Sequence, residues 1–577
     1  MADIHSPVPG TRRPLARYRK GGRGPEADEL PGGRGVLARA ALLTAVLTAA
    51  GAVLGLARDQ TLAHLFGAGS ETDAFLVAWT VPEFASTLLI EDAMALLLVP
   101  AFSRALALRA GDASLRTDPV RHLLRTTLPR LALATGAVAA LVVLAAPALV
   151  SVLAPGLREP HLAIDCTRLT ATCVFTFALA GYFSAALRAH GCYISPAMIY
   201  VAYNVGIIGT LLVTEGAGWG VRSAAAGVAI GGVLMVAVQA PSLWRVLRVA
   251  PGSTGPVRTA APEAGSTLAL ALMIPVVVFT VSRQSQVLVE RFLASPLPGG
   301  AISHLNYAQK VAQIPMVLSL MLCTVNFPVV ARALAAGRPR DAQRRMERDL
   351  IAAAAIVLVG TAVVIAAAPQ IVELLFQRGA FDAEDTRATA TIMRVYALGL
   401  LGQTLVGTLV RCYFSAARPL WYPAAAMLAG LAVNIFFGLA TAALWGATGI
   451  AAANALGITV TAALLLCGIR RQGIPLATGR LSAGLCKLTA AAAVATAAGW
   501  FAARTPLGPF ASVALTAVVA AVSFLAVAVL VRAPEITSLL ASVSRRLVHA
   551  DEEPPLGQNS LPGAQRSAVD RDVPLDQ

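Results

Sequence analysis

Apolar runs of roughly 20 residues recur along nearly the whole chain, each long enough to cross the hydrocarbon core of a bilayer. We read about fourteen, over 36–57, 74–101, 130–153, 163–187, 195–214, 222–243, 265–292, 304–330, 350–368, 386–414, 421–445, 447–468, 481–502 and 509–531. No water in hydrocarbon can satisfy a stray N–H or C=O, so only helices or a closed barrel can span it. Runs this long exceed a barrel strand and predict helices, hence an all-α polytopic membrane protein. The composition agrees. The chain is 57% hydrophobic and 13% charged, whereas a soluble domain carries about 25% charged residues. The runs 421–445 and 447–468 nearly touch, which leaves open whether they are two helices or one.

The net charge of +15 would suggest a nucleic-acid partner in a soluble protein. Here arginine sorts to alternate loops, as expected of a cytoplasmic face. One set holds Arg104, Arg109, Arg116, Arg121 and Arg125, then Arg245, Arg248 and Arg258, then Arg332 and Arg338 to Arg348, then Arg470, Arg471 and Arg480. The alternate loops are poor in arginine. This places both termini in the cytoplasm of a multi-pass plasma-membrane protein, with membrane lipids as partners and no nucleic acid. Residues 1–34 and 533–577 read as cytoplasmic tails, the first basic and disordered. The cysteines show no CxxC spacing and the histidines no ligand spacing, so we expect no metal and no cofactor. No phosphate-binding GxxxxGK[ST] loop occurs, and no cluster of nucleophile, base and orienting group suggests an enzyme.

The chain also repeats itself. Pro100–Ala107 returns as Pro328–Ala335, Val152–Gly156 as Leu375–Gly379, and Ala185–Pro196 as Cys412–Pro423, at nearly one offset. The repeat pairs spans 1–6 with spans 7–12, giving an N-terminal lobe (35–250) and a C-terminal lobe (251–475). Spans 13 and 14 (476–532) form an appended pair. An even number of spans per repeat keeps both lobes in one orientation, as in secondary transporters with sites between their halves.

The stretch Gly51–Arg104 concentrates the chemistry. Arg58 ends the first span, a loop Gly67–Gly69 comes next, and Asp73 opens the second span, which carries Glu83, Glu91 and Asp92. Acids inside a membrane helix are costly and mark a wet interior. Three acids within ten residues point to a wet cavity, which they would line. Arg58 and Asp73 read as a pair at the outer ends of two spans, either a staple for the short loop or a gate. Lys310 either snorkels to the interface or meets a phosphate. Arg394 and Arg411 read as structural salt-bridge residues, and Asn204 and Asn434 as interhelical hydrogen-bond partners.

The segments VLGLARD (53–59), LFGAGSETDAF (65–75), ALRAHGCYISPA (186–197), ASPLPGGAISHLNYAQK (294–310), LFQRGAFDAEDT (375–386) and CYFSAARPLWYP (412–423) resemble the MurJ/MviN family of lipid II flippases. That family lies within the multidrug/oligosaccharidyl-lipid/polysaccharide exporter superfamily, and the resemblance covers about 36–532 of the chain. It implies two six-helix lobes around a central cationic cavity, and two further helices forming a groove for a polyprenyl tail. It also implies a lipid-linked sugar-peptide pyrophosphate moved from inner to outer leaflet by alternating access.

Carried over residue by residue, Arg58, Asp73 and Lys310 fall on functional positions of the family. Ala52, Ser86 and Thr87 stand where the family usually places arginines, Glu91-Asp92 replaces its Glu-Gly, and Lys310 replaces an arginine. Arg283, near Glu290 and Arg291, is the candidate to restore positive charge. Three readings result. The chain is a flippase for lipid II, with cell-wall synthesis proteins as candidate partners. Alternatively it is a paralogue exporting another lipid-linked glycan or a secondary metabolite, or a non-transporting scaffold for cell-wall synthesis.

Overall fold

The computed structural model describes residues 31–111, 118–248, 266–321, 339–414, 421–469 and 478–531; within these, the side chains of 31–41, 91–93 (Glu91 and Asp92 among them), 95–96, 110–111, 266–273, 339–342 and 478 lie outside the description. Every regular element among the described residues is helical. The first, α1 (Pro31–Phe66), starts inside the stretch read as a tail and runs well past the expected end of its span. It stops at Gly67, whose φ of 62° is left-handed and whose N–H closes on the Ala63 carbonyl at 2.8 Å, an arrangement glycine adopts without steric cost. Arg58 therefore lies two turns inside the helix.

The second span is broken in a way the sequence pattern did not foretell. Helix α2 (Ser70–Ala85) passes through a π-helical stretch, Ser86–Asp92, before α3 (Ala93–Gly111). Gly181 permits it: a side chain there would collide with the Leu89 backbone. A π segment is wider than the α-helix and shifts the phase of everything after it. The angular relation of Glu91 and Asp92 to Glu83 is therefore not that of an ideal α-helix.

The rest of the first half is α4 (Pro119–Leu153), α5 (Pro160–Thr170), α6 (Thr172–Ala189), the one-turn α7 (Ile194–Ala197), α8 (Ile199–Thr214) and α9 (Arg222–Arg248). The second half contains α10 (Ser266–Ala294), α11 (Ala301–Ala312), α12 (Pro339–Ala366), α13 (Ala368–Phe376), α14 (Ala383–Ala397), α15 (Leu400–Phe414) and α16 (Tyr422–Gly468). It ends with α17 (Thr478–Ala502) and α18 (Pro509–Leu530). Helices α14 and α15, expected as one span, are bent by 47°.

Helix α16 resolves the ambiguity at 421–468. Forty-seven residues as one rod would be about 70 Å long, more than two bilayer cores. The chain reverses at Gly446, with φ 57° and ψ −137°. Beyond it Gly449 lies against Thr441, Gly438 against Ala453, and Gly430 against Gly457 and Thr461, the register of an antiparallel hairpin. Ten described helices are long and apolar enough to cross a membrane, eleven with the bent pair, and the hairpin makes two of one. The spans expected at 265–292 and 304–330 fall on α10 and on 301–321, next to residues outside the description.

Packing groups the helices. Helices α1–α9 pack chiefly with one another, as do α10–α16, while α17 and α18 pack together and onto α12. The two groups meet mainly through α2 against α10 and α11, α1 against α13, and α4 against α10.

Candidate functional site

The site lies where the two groups of helices meet. Asp59 is at its centre, 8% exposed. Its Oδ1 accepts from Arg58 Nε and Nη2 at 3.0 and 2.8 Å, and its Oδ2 pairs with Lys310 Nζ at 3.0 Å. One carboxylate thus joins a cation of α1 to a cation of α11. A buried charge is tolerated when it is paired and hydrogen-bonded, and removing one partner from such a pair costs about 3–5 kcal/mol.

Trp79 of α2 forms the floor. The Arg58 guanidinium lies 4.4 Å and the Lys310 ammonium 5.7 Å from its ring centre, within cation–π range. Arg58 Nη1 also donates to Asn204 Oδ1 at 3.2 Å, while Asn204 Nδ2 donates to the Gly51 and Tyr200 carbonyls. Asn204 is thus the interhelical link its sequence context suggested. Asn306 and Tyr307 line the same small cavity. The Asn306 amide nitrogen and the Tyr307 hydroxyl are buried there with no hydrogen-bond partner among the described residues.

Asp73 does not pair with Arg58, contrary to the pairing read from sequence. It reaches across to α11 instead, where its Oδ2 accepts from Gly300 N–H at 2.7 Å and its Oδ1 from Ser303 N–H at 2.7 Å and Ser303 Oγ at 2.5 Å. A carboxylate on the free N–H groups of a helix start complements both their unmet donors and the helix dipole. Because α2 and α11 belong to different halves, this cap also joins the halves. Ala380 N–H donates to the His64 carbonyl, Gln60 to the Leu375 carbonyl, Ala68 N–H to Asp385, and Gly156 N–H to Ser295. These contacts draw one end of the molecule shut.

The remaining predicted residues are less converged. Glu83 is half-buried on α2, within electrostatic reach of Lys310 and Glu290. Arg283 is half-buried on α10. The side chains of Glu91 and Asp92 lie outside the described residues. Thr87, where the family carries an arginine, accepts from Gln284 Nε2 at 2.9 Å, a neutral contact between α10 and the π segment. Arg394 forms no salt bridge among the described residues: its Nε donates to the Ile365 carbonyl at 3.2 Å and it stacks on Trp500. Asn434 is fully buried with no hydrogen-bond partner among the described residues, so it is not the expected link.

Asp59, Trp79 and Ser303 were missed as site residues, as was the buried Glu290, whose Oε1 accepts from Tyr396 and Asn454. Asp59 had a usable signal, a second charge beside Arg58 inside an apolar run. Trp79 and Ser303 had none, since their roles depend on contacts distant in sequence.

Two packed groups of spanning helices, joined at one end through shared charge, define a two-lobed polytopic membrane protein with a charged site between its lobes. Among solved structures, "Lipid II flippase MurJ, inward closed conformation" matches with a TM-score of 0.67 at 18% identity, covering 85% of this chain and 99% of that one. An inward-facing multidrug resistance MATE family transporter of the MOP superfamily matches with a TM-score of 0.56 at 15% identity, covering 75% and 98%. A curated relative, the lipid II flippase MurJ of Burkholderia cenocepacia, is 27% identical over 445 residues, 76% of this chain and 84% of its own. The family described as "Lipid II flippase MurJ" matches residues 62–520, and the chain belongs to that family.

Proposed function

We propose that this protein carries lipid II, a polyprenyl-pyrophosphate-linked peptidoglycan precursor, from the inner to the outer leaflet by alternating access. The lobes 35–250 and 251–475 would rock against each other with both termini cytoplasmic, which makes the end closed by Asp59 and Asp73 the outer gate. One observation supports this most: Asp59 divides its two oxygens between Arg58 and Lys310, cations on opposite lobes. Such a bridge can form and break with the motion. At 30% exposure Lys310 is the most accessible of the three, and we assign it the pyrophosphate, since charge-assisted hydrogen bonds replace water around a phosphate. Arg58, Asp73, Glu83, Glu91, Asp92 and Arg283 complete the proposed cavity and gate.

The test is genetic. A bacterium whose own lipid II flippase is shut off should grow when this chain is expressed and inserted in its membrane. Failure to grow with the protein correctly inserted would exclude lipid II as cargo. One feature favours a second reading, a paralogue for another lipid-linked glycan. Ser86 and Thr87 replace arginines, and Thr87 is engaged by neutral Gln284, which gives a less cationic cavity. That reading predicts no rescue, together with accumulation of a different lipid-linked glycan in the inner leaflet when the chain's own gene is deleted.

A further inference from the structure

Two arginines converge on one indole away from the gate. Arg394 of α14 lies 4.6 Å from the ring centre of Trp500, near the end of α17, and Arg504 reaches the same ring at 5.6 Å from the turn just beyond that helix. Apart from the bond from Arg394 Nε to the Ile365 carbonyl, neither guanidinium has a hydrogen bond or a carboxylate partner among the described residues. Arg504 is exposed, and Arg394 and Trp500 are half-buried.

The surroundings identify the medium. Phe501 and Phe510, on either side of the turn between α17 and α18, are 71% and 73% exposed. Tryptophan and its aromatic neighbours at the end of a spanning helix pair belong at headgroup level. A ring's quadrupole attracts a cation but leaves its charge in place. Two like charges held around one ring therefore lack an anion, and the terminal nitrogens of Arg394 are free to supply a fork. Paired guanidinium forks match phosphate oxygens closely.

We propose that Arg394, Trp500 and Arg504 form a binding site for the phosphate of an anionic lipid headgroup, in the leaflet at that end of the molecule. The phosphate would bridge the two guanidiniums while its acyl chains lie along the apolar outer faces of α17 and α18. The site tethers α14 to the appended pair through a lipid, and it is independent of what the central cavity carries.

Native mass spectrometry of the purified full chain tests this with phosphatidylglycerol and phosphatidylcholine as probes. The wild-type protein should retain phosphatidylglycerol in clear excess. Arg504→Gln, a change at an exposed side chain, and Arg394→Gln should each reduce that retention about tenfold, the equivalent of one charge-assisted hydrogen bond, and leave phosphatidylcholine unchanged. Equal retention of the two lipids by the wild type overturns the proposal. So does undiminished phosphatidylglycerol on the folded Arg504→Gln protein. Full displacement of the lipid by millimolar inorganic phosphate would overturn the lipid assignment in favour of a free anion, whereas persistence of the lipid supports it.

Discussion

At the scale of single residues, the consequences of the gate depend on who shares Asp59. Lysine gives it a compact point charge, whereas arginine would offer a planar fork. Lys310→Arg should keep the bridge and support growth at least as well as the wild type in the flippase-depletion assay. Lys310→Gln should lose the bridge and most of the rescue. If the glutamine variant rescues fully, Lys310 has no part in gate or cargo. Asp73 makes a second forecast. Its removal leaves the buried Gly300 and Ser303 N–H groups unmet, at about 1–3 kcal/mol for each such group. Asp73→Ala should lower the thermal midpoint in detergent, and Asp73→Asn, which retains one acceptor oxygen, should recover part of the loss.

At the scale of elements, glycine placement decides geometry, and two substitutions in one hairpin separate the reasons. Gly446 has nothing within 4 Å of an added methyl but sits at φ 57° and ψ −137°, so Gly446→Ala should cost only the backbone strain of that positive-φ conformation, about 1–3 kcal/mol. Gly457 is in the opposite situation: an added carbon would lie 2.6 Å from the Gly430 carbonyl and 3.0 Å from Asn434 Cβ. Gly457→Val should cost more than Gly446→Ala in thermal unfolding, through overpacking of the hairpin limbs. The reverse order would contradict the antiparallel packing.

The same elements show what the sequence made legible. Apolar length located the spanning helices because the bilayer imposes one scale on all of them. The π-helical stretch Ser86–Asp92 was not legible, since it depends on the bare backbone of Gly181 in a distant helix. Arg58 was legible as a functional charge but its setting was not. The end of α1 is fixed by the left-handed Gly67 rather than by the change in polarity at Arg58, so the pairing with Asp73 was misread.

At the scale of the molecule, the model of two rocking lobes is open to a direct mechanical test. Ser70 belongs to the first half and Gly299 to the second, and a Cβ on Gly299 would stand 3.5 Å from that of Ser70, at the short limit for a disulfide. The double variant Ser70→Cys, Gly299→Cys should cross-link under oxidation and lose growth support, and a membrane-permeant thiol should restore it. Full activity of the verified cross-linked protein would exclude separation of these two ends during transport.

The hairpin at Gly446 has a consequence for biogenesis. Its two limbs are joined with no intervening loop, so they offer the insertion machinery no charged flank with which to orient them separately. Neither limb can be inverted or held back without dragging its twin. They must enter the bilayer as a single object whose direction is set by the segments before Tyr422 and after Gly468. A reporter or protease site spliced in at Gly446 should therefore be tolerated poorly, even though that position faces open space.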